Sequence, residues 1–340
     1  SVLLFAPAIV YCFIAIPNKK RSIKYVLIAS APFFFWEVFS IIYYGFPFPN
    51  TAYAKLNVGV PVNDFIVQGF YYFSDSLRGD PVTLSTVAAC FILLLFIKDI
   101  KNIAAFSGVI LYLFYILMIG GDFMSGRFFA APFFISVIVL ANISQAFMQR
   151  KSSLVVPMII VLISLLNPTN PLRVDSTYQN RVIDVRGIAD ERGWYYQGTG
   201  LLLSEEERDN PANPSSFWIR TGLEYKKSYM ESPVRAVKNT GFIGYYSGPD
   251  VFIIDHLGLC DPFLARLKPD LDSGWRSGLP VRTGWRIGHF YRHIPEGYIE
   301  MHVDKKNHIQ DPSYAELYDK LSLIVSGDIF TINRFVEIWR

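Results

Sequence analysis

The sequence predicts a membrane-embedded α-helical bundle in residues 1–166 joined to a small, water-facing, mixed α/β domain in 167–340. Three observations carry that reading. A chain of 340 residues that is 51% hydrophobic, 16% aromatic and only 18% charged, with mean hydropathy +0.28, does not have the composition of a soluble globule. The apolar runs of membrane length lie only in the first half, whereas all five His lie in the second. Charge is also uneven within a net of +3: eleven Lys/Arg face six Asp/Glu in 1–166, but 21 face 23 afterwards. Three Cys exclude a disulfide-stapled scaffold, and the apolar content excludes a disordered chain.

A spanning helix needs about 20 mostly apolar residues, because in hydrocarbon each backbone amide must be satisfied within its own segment. Six stretches approach that length: 1–16, 25–44, 81–97, 103–119, 128–148 and 154–166, the last being the shortest. Alternate connections hold Lys19, Lys20, Arg21 and Lys24, then Lys98 and Lys101, then Arg150 and Lys151, against the single acid Asp99. The basic set is expected on the cytoplasmic side, which puts 45–80, 120–127 and everything after 167 outside a bacterial cytoplasmic membrane. The chain opens on Ser1 inside an apolar run, without an initiator Met or a basic leader. It therefore reads as a fragment, with at least one further helix and an outer loop expected upstream.

Three outer elements carry candidate chemistry. In Tyr43 to Lys55, aromatics suited to the interface give way to Pro47 and Pro49, Asn50 with Thr51 can cap a short helix bearing Lys55, and Asn50 and Lys55 are both candidate substrate contacts. Lys55 could pair with a lipid phosphate or simply snorkel to water; composition leaves both open. Residues 61–77 place Val62, Phe65, Ile66, Gly69, Phe70, Phe73 and Leu77 on one helical face and Asn63, Asp64, Gln68 and Asp75 on the other. This pattern suits a helix lying along the outer surface. The third element is the turn Gly120-Gly121-Asp122-Phe123-Met124-Ser125-Gly126-Arg127 between two apolar runs. Its glycines free the backbone, the Arg127 fork suits phosphate, and Asp122 can orient Arg127 or contact a sugar hydroxyl. The plain alternative is an ion pair that only fixes the turn. Glu37, within the second apolar run, is a further candidate because an ionisable group at membrane depth faces the bundle or a wet cavity.

Tyr43-Tyr44-Gly45 with Pro49-Asn50-Thr51-Ala52-Tyr53-Ala54-Lys55, the Gly120 to Arg127 turn, Ile254-Asp255-His256-Leu257-Gly258-Leu259-Cys260-Asp261-Pro262, and Trp285-Arg286-Ile287-Gly288-His289 occur in that order. Together they resemble the arabinofuranosyltransferase-type integral membrane glycosyltransferases of the GT-C class, over most of the chain. The resemblance implies a helical bundle with an extracytoplasmic domain. It implies transfer of a sugar, arabinofuranose among the candidates, from a polyprenyl-phosphate donor to a cell-envelope glycan. It places Arg127 and Lys55 near the donor phosphate, Asp122 beside them, and Arg286 and His289 on the acceptor side. The family's general base is an acid of the first outer loop, which has no counterpart here, so the catalytic base stays unknown. Lipid-linked sugar is also the physically expected donor outside the cytoplasm, where nucleotide sugars are absent, and a cation near its phosphate would stabilise developing charge.

After Asn167-Pro168-Thr169-Asn170-Pro171, read as a linker, the chain predicts a helix over 181–192, strands over 241–246 and 251–255, and a helix over 312–323 capped by Asp311. Asp255, Arg286 and His289, among aromatic residues, are candidate sugar contacts, with aromatics that close a small core as the bland alternative. His289 and His293 have a metal-like spacing that Gly288 and Pro295 oppose, and Asp270-Leu271-Asp272 is read as a loop coincidence. No cofactor is firmly indicated, although a divalent cation stays open. Nothing points to nucleic acid or nucleotide binding. The rival of a different class is a non-enzymatic, membrane-anchored glycan-binding or envelope-assembly protein. A transporter comes third, since no inverted repeat is evident.

Overall fold

The computed structural model describes residues 2–56, 58–147, 155–167, 170, 184–191, 217–271 and 286–340. The described chain is mostly helical. In order, its elements are α1 (Val2–Ala15), α2 (Lys19–Tyr44), α3 (Asn50–Lys55), α4 (Val62–Gly79), α5 (Pro81–Ile97), α6 (Ile100–Met118), α7 (Ala130–Phe147), α8 (Val155–Leu166), α9 (Phe217–Lys227), β1 (Val234–Val237), α10 (Gly241–Ser247), β2 (Phe252–Asp255), α11 (Tyr298–Asp304), α12 (Pro312–Ser326) and α13 (Ile332–Ile338). Each of the six apolar runs contains a helix. Among the described residues, α2 and α6 are long and apolar enough to cross a membrane, or there are up to three spans if the bent pair α4–α5 counts as one. The other apolar helices are shorter: the 14 residues of α1 rise only about 21 Å at 1.5 Å each, against a hydrocarbon core of about 30 Å.

The chain divides into two compact units whose boundary does not follow the expected one at 166/167. One holds 1–27, 61–196 and 283–287; the other holds 28–60, 197–282 and 288–340. Segment 28–60, read as part of a span followed by an outer loop, clusters with the C-terminal residues.

In the first unit α1, α5, α6 and α7 close on Leu4, Val87, Cys90, Leu94, Phe106, Val109, Val139 and Ile143. Helices α1 and α6 meet at Gly108, where a Cβ would stand 1.8 Å from the Leu4 carbonyl oxygen, so only glycine permits this crossing. The 106° bend between α4 and α5 falls at Asp80, because Pro81 at the start of α5 cannot continue the preceding helix. Helix α4 packs through its small and polar residues. The helix buries Gln68, Gly69, Tyr72 and Ser76, while Val62, Phe70 and Leu77 are exposed. The cause is local: Gly69 lets the backbone of α6 approach, a Cβ there falling 2.4 Å from the Leu117 oxygen, and the flanking polar groups serve nearby loops. Gln68 donates to Arg186 O, and Tyr72 Oη donates to Met124 O while accepting from Phe128 N. Asn167 and Asn170, read as linker, are buried at the end of α8, where Asn170 Nδ2 donates to Ser164 O.

In the second unit β1 and β2 pair in parallel, Val234 opposite Phe252 through Val237 opposite Asp255. Parallel neighbours need a crossover, and here it is α10. The strand expected over 241–246 is therefore a helix, packed on α9 where Gly222 lets Ile243 approach. The expected strand over 251–255 is β2, and Asp311 caps α12 by accepting from Ser313 N and Tyr314 N. The core is Val234, Ile254, Phe263, Leu264, Leu267, Tyr298, Met301, Ile309 and Leu321. Arg334, buried, donates to Ile42 O at 2.6 Å and Tyr43 O at 3.0 Å, placing a cation at the negative end of α2. Of the helix expected over 181–192, residues 184–187 instead form a turn closed by Asp184 Oδ1, which accepts from Arg186 N and Ile188 N. Residues 181–183 and 192 of that range lie outside the described residues.

Candidate functional site

The first unit gathers charge at the turn between α6 and α7. Helix α6 ends where Gly121 N donates to Ile116 O, and Gly120, Gly121 and Gly126 all have positive φ. Gly121 has no space for a side chain: a Cβ would stand 2.3 Å from the Tyr72 ring. Gly121→Ala is therefore expected to cost about 2 to 3 kcal/mol in thermal unfolding, whereas Gly126→Ala, with nothing within 4 Å, adds only backbone strain of about 1 kcal/mol. Equal losses would show that the Tyr72 contact is unimportant.

The turn then pairs with 184–191. Ser125 N donates to Ala189 O at 2.9 Å, Ala189 N donates to Phe123 O at 2.7 Å, and Ser125 Oγ donates to Asp75. Asp122 is only 2% exposed and forms a 2.6 Å ion pair with Arg127, whose side chain is 40% exposed. A second pair, Arg286–Glu191 at 3.2 Å, is largely buried. Both guanidiniums approach one ring, Arg127 at 5.3 Å and Arg286 at 5.2 Å from the centre of Phe123. Burial raises the Glu191 pKa, Arg286 draws it down, and Asp122 raises it further. The result is two arginines, each held by a shielded carboxylate, around one aromatic face. Such a pair of forks suits an oxyanion better than either arginine alone.

Sequence reasoning had Asp122, Arg127 and Arg286, but placed Arg286 on an acceptor side with His289. The structure sets Arg286 beside Phe123, with Arg127 on the same ring. Glu191 was missed. It lies in the segment expected as a helix over 181–192, and nothing local marks a carboxylate as the partner of an arginine 95 residues away.

The remaining candidates belong to the second unit. Asn50 does not cap α3, whose N-cap is Pro49 without a side-chain bond. Its amide instead donates to Gly258 O and Leu259 O and accepts from Arg266, tying α3 to the loop after β2. Lys55 lies against Gly288, where a Cβ would stand 2.7 Å from its Cε, and half-buried His289 follows. Asp255, 1% exposed, accepts from Leu257 N, Leu259 N and Cys260 N. The sugar-binding role expected of Asp255 is thus replaced by a structural one: burial and three backbone donors consume the carboxylate. Glu37 is half-buried in α2 amid exposed Phe33, Phe34, Phe35 and Trp36. Trp285 and Asp272 lie outside the described residues. His293 does not pair with His289 but meets Asp270 at 2.8 Å.

Among the described residues no three of His, Cys, Asp and Glu stand together as a metal site.

The same unit holds a titration of its own. Asp261, buried, accepts from Phe263 N, Leu264 N and Tyr298 Oη, yet burial outweighs these bonds and raises its carboxyl to about 6. A raised folded-state pKa contributes stability that is full below the ordinary 3.8 and lost as pH rises through about 6. The loss is of the order of 3 kcal/mol. His302, lowered to about 4 by burial and then by Lys305, acts in the opposite sense as pH falls below 6.5. Denaturation of wild type and Asp261→Asn across pH 4 to 7 isolates the carboxylate: the variant is expected to lack the decline, and parallel curves would refute it.

Compared with protein-family models, with curated proteins and with solved structures, the chain matches none.

Proposed function

We propose that this chain is a membrane glycosyltransferase that transfers a sugar from a polyprenyl-phosphate donor to a cell-envelope glycan, with the turn between α6 and α7 at its donor site. One observation carries the reading: at the end of an apolar helix long enough to span a bilayer, Arg127 and Arg286 flank a single ring, each beside a carboxylate. A donor of this type carries its phosphate at the interface and its tail in hydrocarbon, so its anion would meet cations at a helix end. The GT-C likeness of the four motifs supports the same assignment and adds arabinofuranose as the first sugar to try.

In this mechanism Arg127, the more exposed guanidinium, contacts the phosphate. Asp122 fixes its direction. Arg286, oriented by Glu191, adds a second positive charge beside Phe123. As an acceptor hydroxyl oxygen bonds to the anomeric carbon and gives its proton to a general base, the bond from that carbon to the phosphate oxygen breaks, the electron pair leaves with the polyprenyl phosphate, and the two guanidiniums stabilise the charge that grows there. The test is transfer by the purified full chain in lipid from synthetic polyprenyl-phosphoryl arabinofuranose to an arabinan acceptor. Radiolabelled product above that of empty membranes is the expected result. Absence of product with this donor, and with the galactofuranosyl and mannosyl donors, would refute the reading.

A further inference from the structure

Beside the paired arginines the first unit contains a cleft of about 310 Å³ between one face of α4 and the 184–190 loop. It is lined by Tyr71, Asp75, Arg78, Asp184, Arg186 and Asp190, among others. We infer that this cleft is a carbohydrate-binding subsite that holds a neutral sugar of the acceptor glycan. The identification of that sugar as acceptor rests on the proposed transferase reading; the sugar site itself does not.

The lining decides the ligand class. Three carboxylates and two guanidiniums stand around one small space. An inorganic anion would face the excess of carboxylates, and a metal ion would face Arg78 and Arg186. Among the described residues no metal-holding group of three acids exists. An apolar ligand would strand five charged groups out of water. A polyol avoids all three conflicts, because each hydroxyl both donates to a carboxylate and accepts from a guanidinium. The volume is at the small end of ligand sites, which run from about 300 to 1,000 Å³, and suits about one or two sugar rings rather than a long chain.

The walls are also held in place. Arg186 lies over the Tyr71 ring, 3.0 Å from its centre, and its carbonyl accepts from Gln68. Asp184 closes its own turn through Oδ1, and Asp75 accepts from Ser125 of the Asp122 turn. The cleft thus shares its rim with the segment carrying Glu191, the residue after Asp190. A sugar bound there is adjacent in sequence and hydrogen bonding to the donor-site turn, as an acceptor should be.

The test is calorimetric or saturation-transfer titration of the full chain in nanodiscs with methyl glycosides of arabinofuranosyl, galactofuranosyl and mannosyl disaccharides, and separately with inorganic phosphate and magnesium chloride. At least one disaccharide is expected to bind in the millimolar range. Ser74→Trp, which fills the cleft, is expected to weaken it about tenfold or more. Arg78→Ala, which only shortens a rim side chain, is expected to weaken it about tenfold and keeps the test open if the larger substitution prevents folding. If no disaccharide binds, if both cleft variants bind as wild type, or if phosphate or magnesium competes for the site, the inference fails. Sugar binding without any transfer would overturn the transferase reading alone.

Discussion

Replacing Arg292 by alanine is expected to remove about 3 to 5 kcal/mol of stability from the second unit, enough to unfold it under mild conditions. Arg292 is 1% exposed, and its guanidinium donates to the carbonyls of Leu257, Leu267, Phe290 and Ala54. The lining is carbonyl rather than carboxylate, so the cation is satisfied by dipoles, with Asp255 acting on it at longer range. Burial lowers its pKa to about 10, still far above neutrality, so the charge persists. Alanine would leave a cavity and four carbonyl groups without this donor, three of them between β2 and α11. Lysine has three donors on one nitrogen and cannot reproduce the fork, so Arg292→Lys is expected to recover no more than about half of the loss. Thermal unfolding followed by circular dichroism measures both. A loss below about 1 kcal/mol for alanine would mean that water replaces the guanidinium without cost.

Arg127→Ala is expected to lower transfer about 100-fold or more, the scale of removing one stabilising donor from a developing oxyanion. Arg127→Lys keeps the charge, loses the fork, and is expected to retain about a tenth of the activity. The same substitution also takes the counter-charge from Asp122, which is 2% exposed, so stability should fall with it. Adding Asp122→Asn to Arg127→Ala removes the buried negative charge and is expected to restore stability but not transfer. That split separates the two readings the sequence left open. If the double variant regains both, the pair only fixes the turn; if Arg127→Ala is fully active, the guanidinium has no part in catalysis.

The helices were legible because burial in one environment leaves a local signature: a run of apolar residues needs no knowledge of its neighbours. The short α3 with Lys55 and the Asp311 cap of α12 were legible for the same reason, each being set by residues within a few positions. One reading failed where a distant contact overrode the local pattern. Residues 241–246 carry strand-forming side chains, yet the parallel pairing of β1 with β2 requires a crossover, and α10 supplies it. On α4 the sequence marked the apolar face, but only the fold shows that Gly69, Gln68 and Tyr72 form the packed one, where the polar groups satisfy loop carbonyls and amides.

The candidate site divides along the same line. Gly120, Gly121, Asp122, Gly126 and Arg127 are consecutive or nearly so, and a glycine-rich turn between apolar runs already brings acid and base together, as the 2.6 Å pair has it. Tertiary structure alone decided that Arg286 joins them and that Glu191 holds it. It likewise decided that Asp255 and Asn50, both read as ligand contacts, serve backbone groups instead. The physical reason is range. Hydrophobic periodicity and turn chemistry act over a few residues and are written in order along the chain. The partner of a buried charge is selected by desolvation and by whichever opposite group the folded backbone delivers, and no spacing in the sequence encodes that choice.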